Sequence, residues 1–147
     1  MLEAYLDYHR EALRRKVLGV SNEDARRRLV PSLTTLGGLL KHMTAVERHW
    51  FHELMGPEEP PGPRGDDTFV LVPEDTVESL IADYDRECAR SRELSSEYTL
   101  ADSLHHESLG DISLRWIFVH MIEETARHAG HADILRELTD GKTGGLL

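Results

Sequence analysis

Between Trp116 and His131 the chain reads WIFVHMIEETARHAGH, and its ionisable residues fall where a helix keeps its core. At about 100° per residue, with His120 as zero, His131 lies at roughly 20°, Glu124 at roughly 40° and His128 at roughly 80°. Ile117, Leu135 and Leu138 share that sector, so the predicted inward stripe is apolar at both ends and imidazole-plus-carboxylate between. Burying such groups without partners is costly, and a metal ion is a partner that accepts several at once. Glu124 and His128, at i, i+4, offer donors from one helix face. They make half of a metal site.

The other half has to come from a facing helix. His42 follows Leu39 by three residues and precedes Val46 by four, so it points near the core of the segment that ends at Met55. His49 lies on nearly the same side, and His52 is turned further away. Two His and one Glu with open coordination positions is a donor set of catalytic zinc and of non-haem iron. Nickel and manganese also fit, since donor type alone does not choose the metal. His131 is a further ligand, an outer donor or a proton-transfer group, and His49 is a second proton-transfer candidate. His120 is expected to pack beside the site and His9, on the apolar stripe of the first helix, to border the pocket. Trp50 and Trp116 are placed as pocket-side or dimer-packing aromatics. His105 and His106 read as loop residues.

Positioning these groups takes helices. Leu2, Leu6, His9, Leu13 and Val17 form a helical stripe closed by Gly19, and Ser21 with Asp24 starts a short helical turn. A second helix runs from Ser32 or Thr34 to about Met55, stopped by Gly56-Pro57. Residues 58–67, rich in Pro and Gly, predict an irregular connection, and Phe69–Val72 a short extended piece. A third helix, capped by Asp75 or Thr76, reaches about Tyr98 with Cys88 on its buried stripe. The last opens at Asp111 or Ser113 and closes before Gly141. Four amphipathic helices with no strand pair predict an all-α four-helix bundle in a single domain, 1–141, with a tail at 142–147.

Composition narrows the function classes. The chain has 147 residues, 27 acidic and 17 basic, for a net charge of −10, which argues against a nucleic-acid partner. One cysteine excludes an intrachain disulfide and fits a reducing compartment. The first residues lack a basic-then-apolar signal pattern, and no apolar run reaches the roughly 18 residues of a span. A cytoplasmic protein with a small-molecule substrate and no membrane partner is expected. There is no phosphate loop, Cys-x-x-Cys pair, Gly-x-Ser-x-Gly elbow or His-Glu-x-x-His.

The segments Leu36-Gly-Gly-Leu-Leu-Lys-His42 through Trp50-Phe51, and His120-Met-Ile-Glu-Glu-Thr-Ala-Arg-His128-Ala-Gly-His131, together resemble the DinB-like superfamily. The resemblance runs from Tyr5 to Gly141. It implies an up-down-down-up four-helix bundle, commonly a homodimer, with one divalent metal inside. Many members use three histidines; here the middle position is Glu124, giving His42, Glu124 and His128. That His-Glu-His set is similar to mycothiol-dependent maleylpyruvate isomerase of the same superfamily, although its substrate does not carry over. The leading expectation is a metal-dependent thiol S-transferase that uses a low-molecular-weight thiol such as mycothiol or bacillithiol. Two alternatives stand beside it: a hydrolase using metal-activated water, and a non-catalytic metal-binding stress-response scaffold.

Overall fold

The computed structural model describes residues 1–57 and 60–144. Glu58 and Glu59 of the expected irregular connection, and 145–147 of the tail, lie outside the described residues. The chain is mostly helical: α1 (Leu2–Val17), the short α2 (Asn22–Arg26), α3 (Leu36–Glu47), a π-helical turn (Arg48–His52), one further turn α4 (Glu53–Met55), α5 (Val77–Ser95) and α6 (Leu114–Asp140). Helix α1 packs on α6 and α3 packs on α5, with α3 also meeting α1 and α6. No helix of the described residues is long and apolar enough to cross a membrane.

Local chemistry sets most helix ends. Ser21 accepts from Asp24 N, and Thr76 and Ser79 form a reciprocal capping box. Ser113 accepts from Trp116 N, and Gly141 ends α6 with φ 75°. The α3 cap is Thr35, one residue beyond the expected start, with its hydroxyl on Gly38 N at 3.0 Å. Along α6, Ile117 and Leu135 are buried as expected, but Leu138 is 54% exposed. Helix α6 has 27 residues against 16 in its main partner α1, so an apolar stripe extrapolated to its far end meets solvent.

Three elements depart from the helical pattern. Ser103–His106 (β1) and Gly110–Ser113 (β2) form an antiparallel hairpin with Leu104 opposite Ile112 and His106 opposite Gly110. The expectation of no strand pair is corrected here: His105 and His106 belong to a strand, not a loop, within a fold that stays mostly helical. Residues Gly65–Phe69 form a 3-10 turn rather than the tail of an irregular connection, and Phe69 closes that turn instead of opening an extended piece. The π-helical turn interrupts the expected continuous second helix. Its i→i+5 bonding adds a residue per turn, so the side chains after Glu47 lag behind the 100° step.

The core gathers Leu6, Leu13, Leu39, Met43, Phe51, Tyr84, Ile117 and Met121, all at most 1% exposed. Cys88 is 3% exposed, and burial, reinforced by the nearby Glu47 charge, pushes its thiol well above the ordinary range. In the native protein Cys88 should therefore resist a disulfide exchange reagent at pH 8 and react fully only after denaturation. Stoichiometric labelling of the folded chain would contradict this placement.

Candidate metal centre

His42 leaves α3 and His128 leaves α6, and their rings meet edge to face with centroids 4.8 Å apart. Burial lowers both imidazole pKa values. His42 falls to about 4, helped by the field of His128, whereas Glu124 partly offsets the shift at His128. Both rings are thus neutral at physiological pH, the form that donates a lone pair to a metal. Glu124 Oε2 lies 3.5 Å from His128 Nε2, while its Oε1 pairs with Arg127 Nη1 at 3.0 Å. His128 Nδ1 is buried with no hydrogen-bond partner among the described residues.

The chemistry of this set fits a divalent ion: two neutral imidazoles, a carboxylate, and an orphaned buried nitrogen. As the side chains stand, no three His, Cys, Asp or Glu among the described residues converge on one metal position. Glu124 is engaged by Arg127 instead.

One ring beyond His128 sits His131, exposed, with centroids 5.3 Å apart. It borders a recess of about 310 Å³ walled by Val30, Ser32, Thr34, Ile134 and Leu135. On the other side, Phe69 stacks on His42 at 4.0 Å and 11°. Gly38 permits this approach: a Cβ there would lie 2.6 Å from Phe69 O.

A family model described as Mycothiol-S-transferase matches residues 1–141. The chain belongs to the mycothiol S-transferase family. No curated protein matches it. Among solved structures, it is similar to one titled "Crystal structure of the conserved protein of locus from Enterococcus faecalis". That likeness has a TM-score of 0.68 at 19% identity, covers 96% of each chain, and shows the shared fold.

In this member of the mycothiol S-transferase family the other predicted site residues are dispersed. His120 packs between Trp50, at 4.4 Å, and Trp116, stacked at 5.1 Å. Trp50 is buried and stacks on His106, while Trp116 is 41% exposed. His9 lines a separate groove of about 410 Å³ between α1 and α6, with Tyr8, Ala12 and Ala129.

His49, in the π-helical turn, belongs to a second polar cluster. Its Nδ1 meets Glu53 Oε2 at 3.0 Å and its Nε2 meets His106 Nε2 at 3.2 Å. The tautomers follow from the backbone. His106 Nδ1 accepts from Ser108 N and Leu109 N, at 3.2 and 3.3 Å, so Nε2 carries its proton and donates to His49. His49 then donates from Nδ1 to the Glu53 carboxylate. Burial disfavours the charge on Glu53, but hydrogen bonds from Arg64, Gly62 N and His49 more than offset it and bring its pKa to about 2. Sequence pattern missed His106 because the pairing joins residues 57 positions apart. A Glu four residues after His49 was the one local signal.

This chain is satisfied only when both imidazoles are neutral, since another proton on either ring sets N–H against N–H. Burial lowers the His49 pKa, with the Glu53 hydrogen bond partly offsetting it. A depressed histidine pKa stabilises the fold fully above the unfolded value, about 6.5, and that contribution is lost as pH falls below it. Amide exchange at Ser108 and Leu109, corrected for intrinsic rate, should therefore lose protection between pH 7.5 and 5. Constant protection factors would refute the assignment.

Proposed function

We propose that the chain is a divalent-metal-dependent thiol S-transferase, built as the up-down-down-up bundle of the DinB-like superfamily, with His42, Glu124 and His128 as metal ligands. The observation that carries this is the meeting of His42 with His128 across two helices, beside a buried, unpartnered His128 Nδ1 and the Glu124 carboxylate. The co-substrate is a thiol of the mycothiol or bacillithiol class, and the second substrate a small electrophile.

When bound, a divalent ion supplies Lewis acidity that lowers the pKa of a coordinated thiol. The protein's own groups set the surroundings. His42 and His128 offer neutral nitrogens, Glu124 reduces the net charge of the centre, and Arg127 orients Glu124. Phe69 covers one face of the His42 ring and shields it from water. His131, exposed at the rim, is placed to pass the thiol proton to solvent. In the product a sulfur–carbon bond replaces the S–H bond and the carbon's bond to its leaving group, which departs with the electron pair.

The test is thiol consumption by the purified protein loaded in turn with zinc, nickel, iron or manganese, in the presence of a small alkyl halide. Thiol loss that needs protein, metal and electrophile together, with a thioether product, is the expected outcome. Electrophile hydrolysis without thiol would favour the hydrolase instead. Metal binding with neither reaction would favour the scaffold.

A further inference from the structure

The His42 ring is gripped by a segment whose sequence announced nothing. Thr68 is 4% exposed and lies on the 3-10 turn Gly65–Phe69. Its Oγ1 donates to Gly65 O at 2.6 Å, which commits its only hydroxyl proton. The same oxygen lies 2.8 Å from His42 Nδ1, so in that contact it can only accept. His42 Nδ1 must therefore carry hydrogen, and in the neutral ring Nε2 keeps the free lone pair. Phe69, the next residue, lies flat on the same ring and fixes its plane. The turn itself rests on the glycine surface of α3, where Gly38 lets the Phe69 carbonyl approach.

Three features thus act on one side chain: a spent hydroxyl proton that sets the tautomer, an aromatic face that sets the plane, and a glycine that seats both. An unbiased imidazole divides itself between two tautomers, of which only one offers Nε2. A partner on the opposite nitrogen removes that choice before any ligand arrives, and such partners are worth roughly 10–100-fold in metal affinity. We propose that Thr68 is a positioning residue of the His42–Glu124–His128 centre, holding His42 as its Nδ1–H tautomer so that Nε2 is the donor. The proposal rests on the reading of that centre as a metal site.

The test uses the full chain, with Thr68→Val removing the acceptor at nearly constant shape and Thr68→Ser restoring it. Nitrogen-15 shifts of the His42 ring in metal-free protein should report the Nδ1–H form in wild type and Thr68→Ser, and a shift toward Nε2–H in Thr68→Val. Zinc titration should then show affinity about 10–100-fold weaker in Thr68→Val and recovered in Thr68→Ser. Unchanged melting and helix content in Thr68→Val confirm that the loss is local. Should the valine variant unfold, the wild-type tautomer still decides: a His42 ring protonated at Nε2 overturns the proposal. An unchanged tautomer and zinc affinity in a folded Thr68→Val also overturn it. The metal reading fails separately, by wild type binding no zinc while its His42 ring remains in the Nδ1–H form.

Discussion

Replacing Arg10 with alanine should cost about 3–5 kcal/mol of folding stability. Arg10 on α1 is 3% exposed and Glu47, at the end of α3, is 0% exposed. They form a two-pronged pair, Nε to Oε1 at 2.8 Å and Nη2 to Oε2 at 2.6 Å, and Arg10 Nη1 also reaches Asp7 at 2.9 Å. The guanidinium lies 5.7 Å from the Phe51 ring centroid, in the π-helical turn that follows Glu47. Alanine removes the cation and leaves a carboxylate in the core with Tyr84 and Cys88 as neighbours. Uncompensated charge is what makes breaking such a pair expensive. The control is Arg10→Met with Glu47→Leu, which removes both charges and keeps volume, and should recover most of the loss. Urea unfolding of the three proteins decides it. A loss below about 1 kcal/mol for Arg10→Ala would mean that water reaches Glu47.

The largest functional effect is expected at the proposed ligands. Purified without an affinity tag, wild type should carry about one divalent ion per chain by elemental mass spectrometry. Folded His42→Ala, Glu124→Ala and His128→Ala should each carry almost none, because three protein donors leave no redundancy. His131→Ala should keep the metal and lose thiol-transfer rate, as its exposed ring stands outside the pair that His42 and His128 make. Loss of metal from His131→Ala would instead make it a fourth protein ligand, close the coordination sphere and point to a structural ion. Wild type that stayed metal-free after incubation with zinc, nickel, iron and manganese would sink the proposed function.

Several elements were legible because their causes are local. Ser21, Thr76, Ser113 and Gly141 act within a turn or two of themselves: Ser21 and Gly141 mark the ends expected of them, and the structure selects Thr76 over Asp75 and Ser113 over Asp111. Periodicity placed Leu6, Leu13, Leu39, Met43, Tyr84 and Ile117 inside, since a stripe that repeats with the helix must face its neighbours. The same periodicity put His42 and His128 on inward faces, and the fold brings their rings together.

What the pattern could not supply depends on partners far along the chain. A 3.6-residue wheel carried past Glu47 places His49 on nearly the same side as His42, about two turns further along, but in the fold its ring meets His106. His105 and His106 looked incidental because a four-residue strand has too little sequence to announce itself without its pairing partner. Thr68 and Phe69 carry no motif; only the packing of their turn on α3 reveals that they hold His42.

By itself, then, the sequence determined where the main helices run and that Ile117, His128 and Leu135 of α6 turn inward, whereas His131 and Leu138, expected on the same stripe, are exposed. Tertiary structure alone decided which nitrogen of His42 is free, that Arg127 engages Glu124, and that His49 serves the hairpin rather than the centre. The division is physical. Helix position follows from hydrogen bonds and side-chain spacing within a few residues, whereas a tautomer or a ring contact is set by whichever distant group arrives to satisfy it.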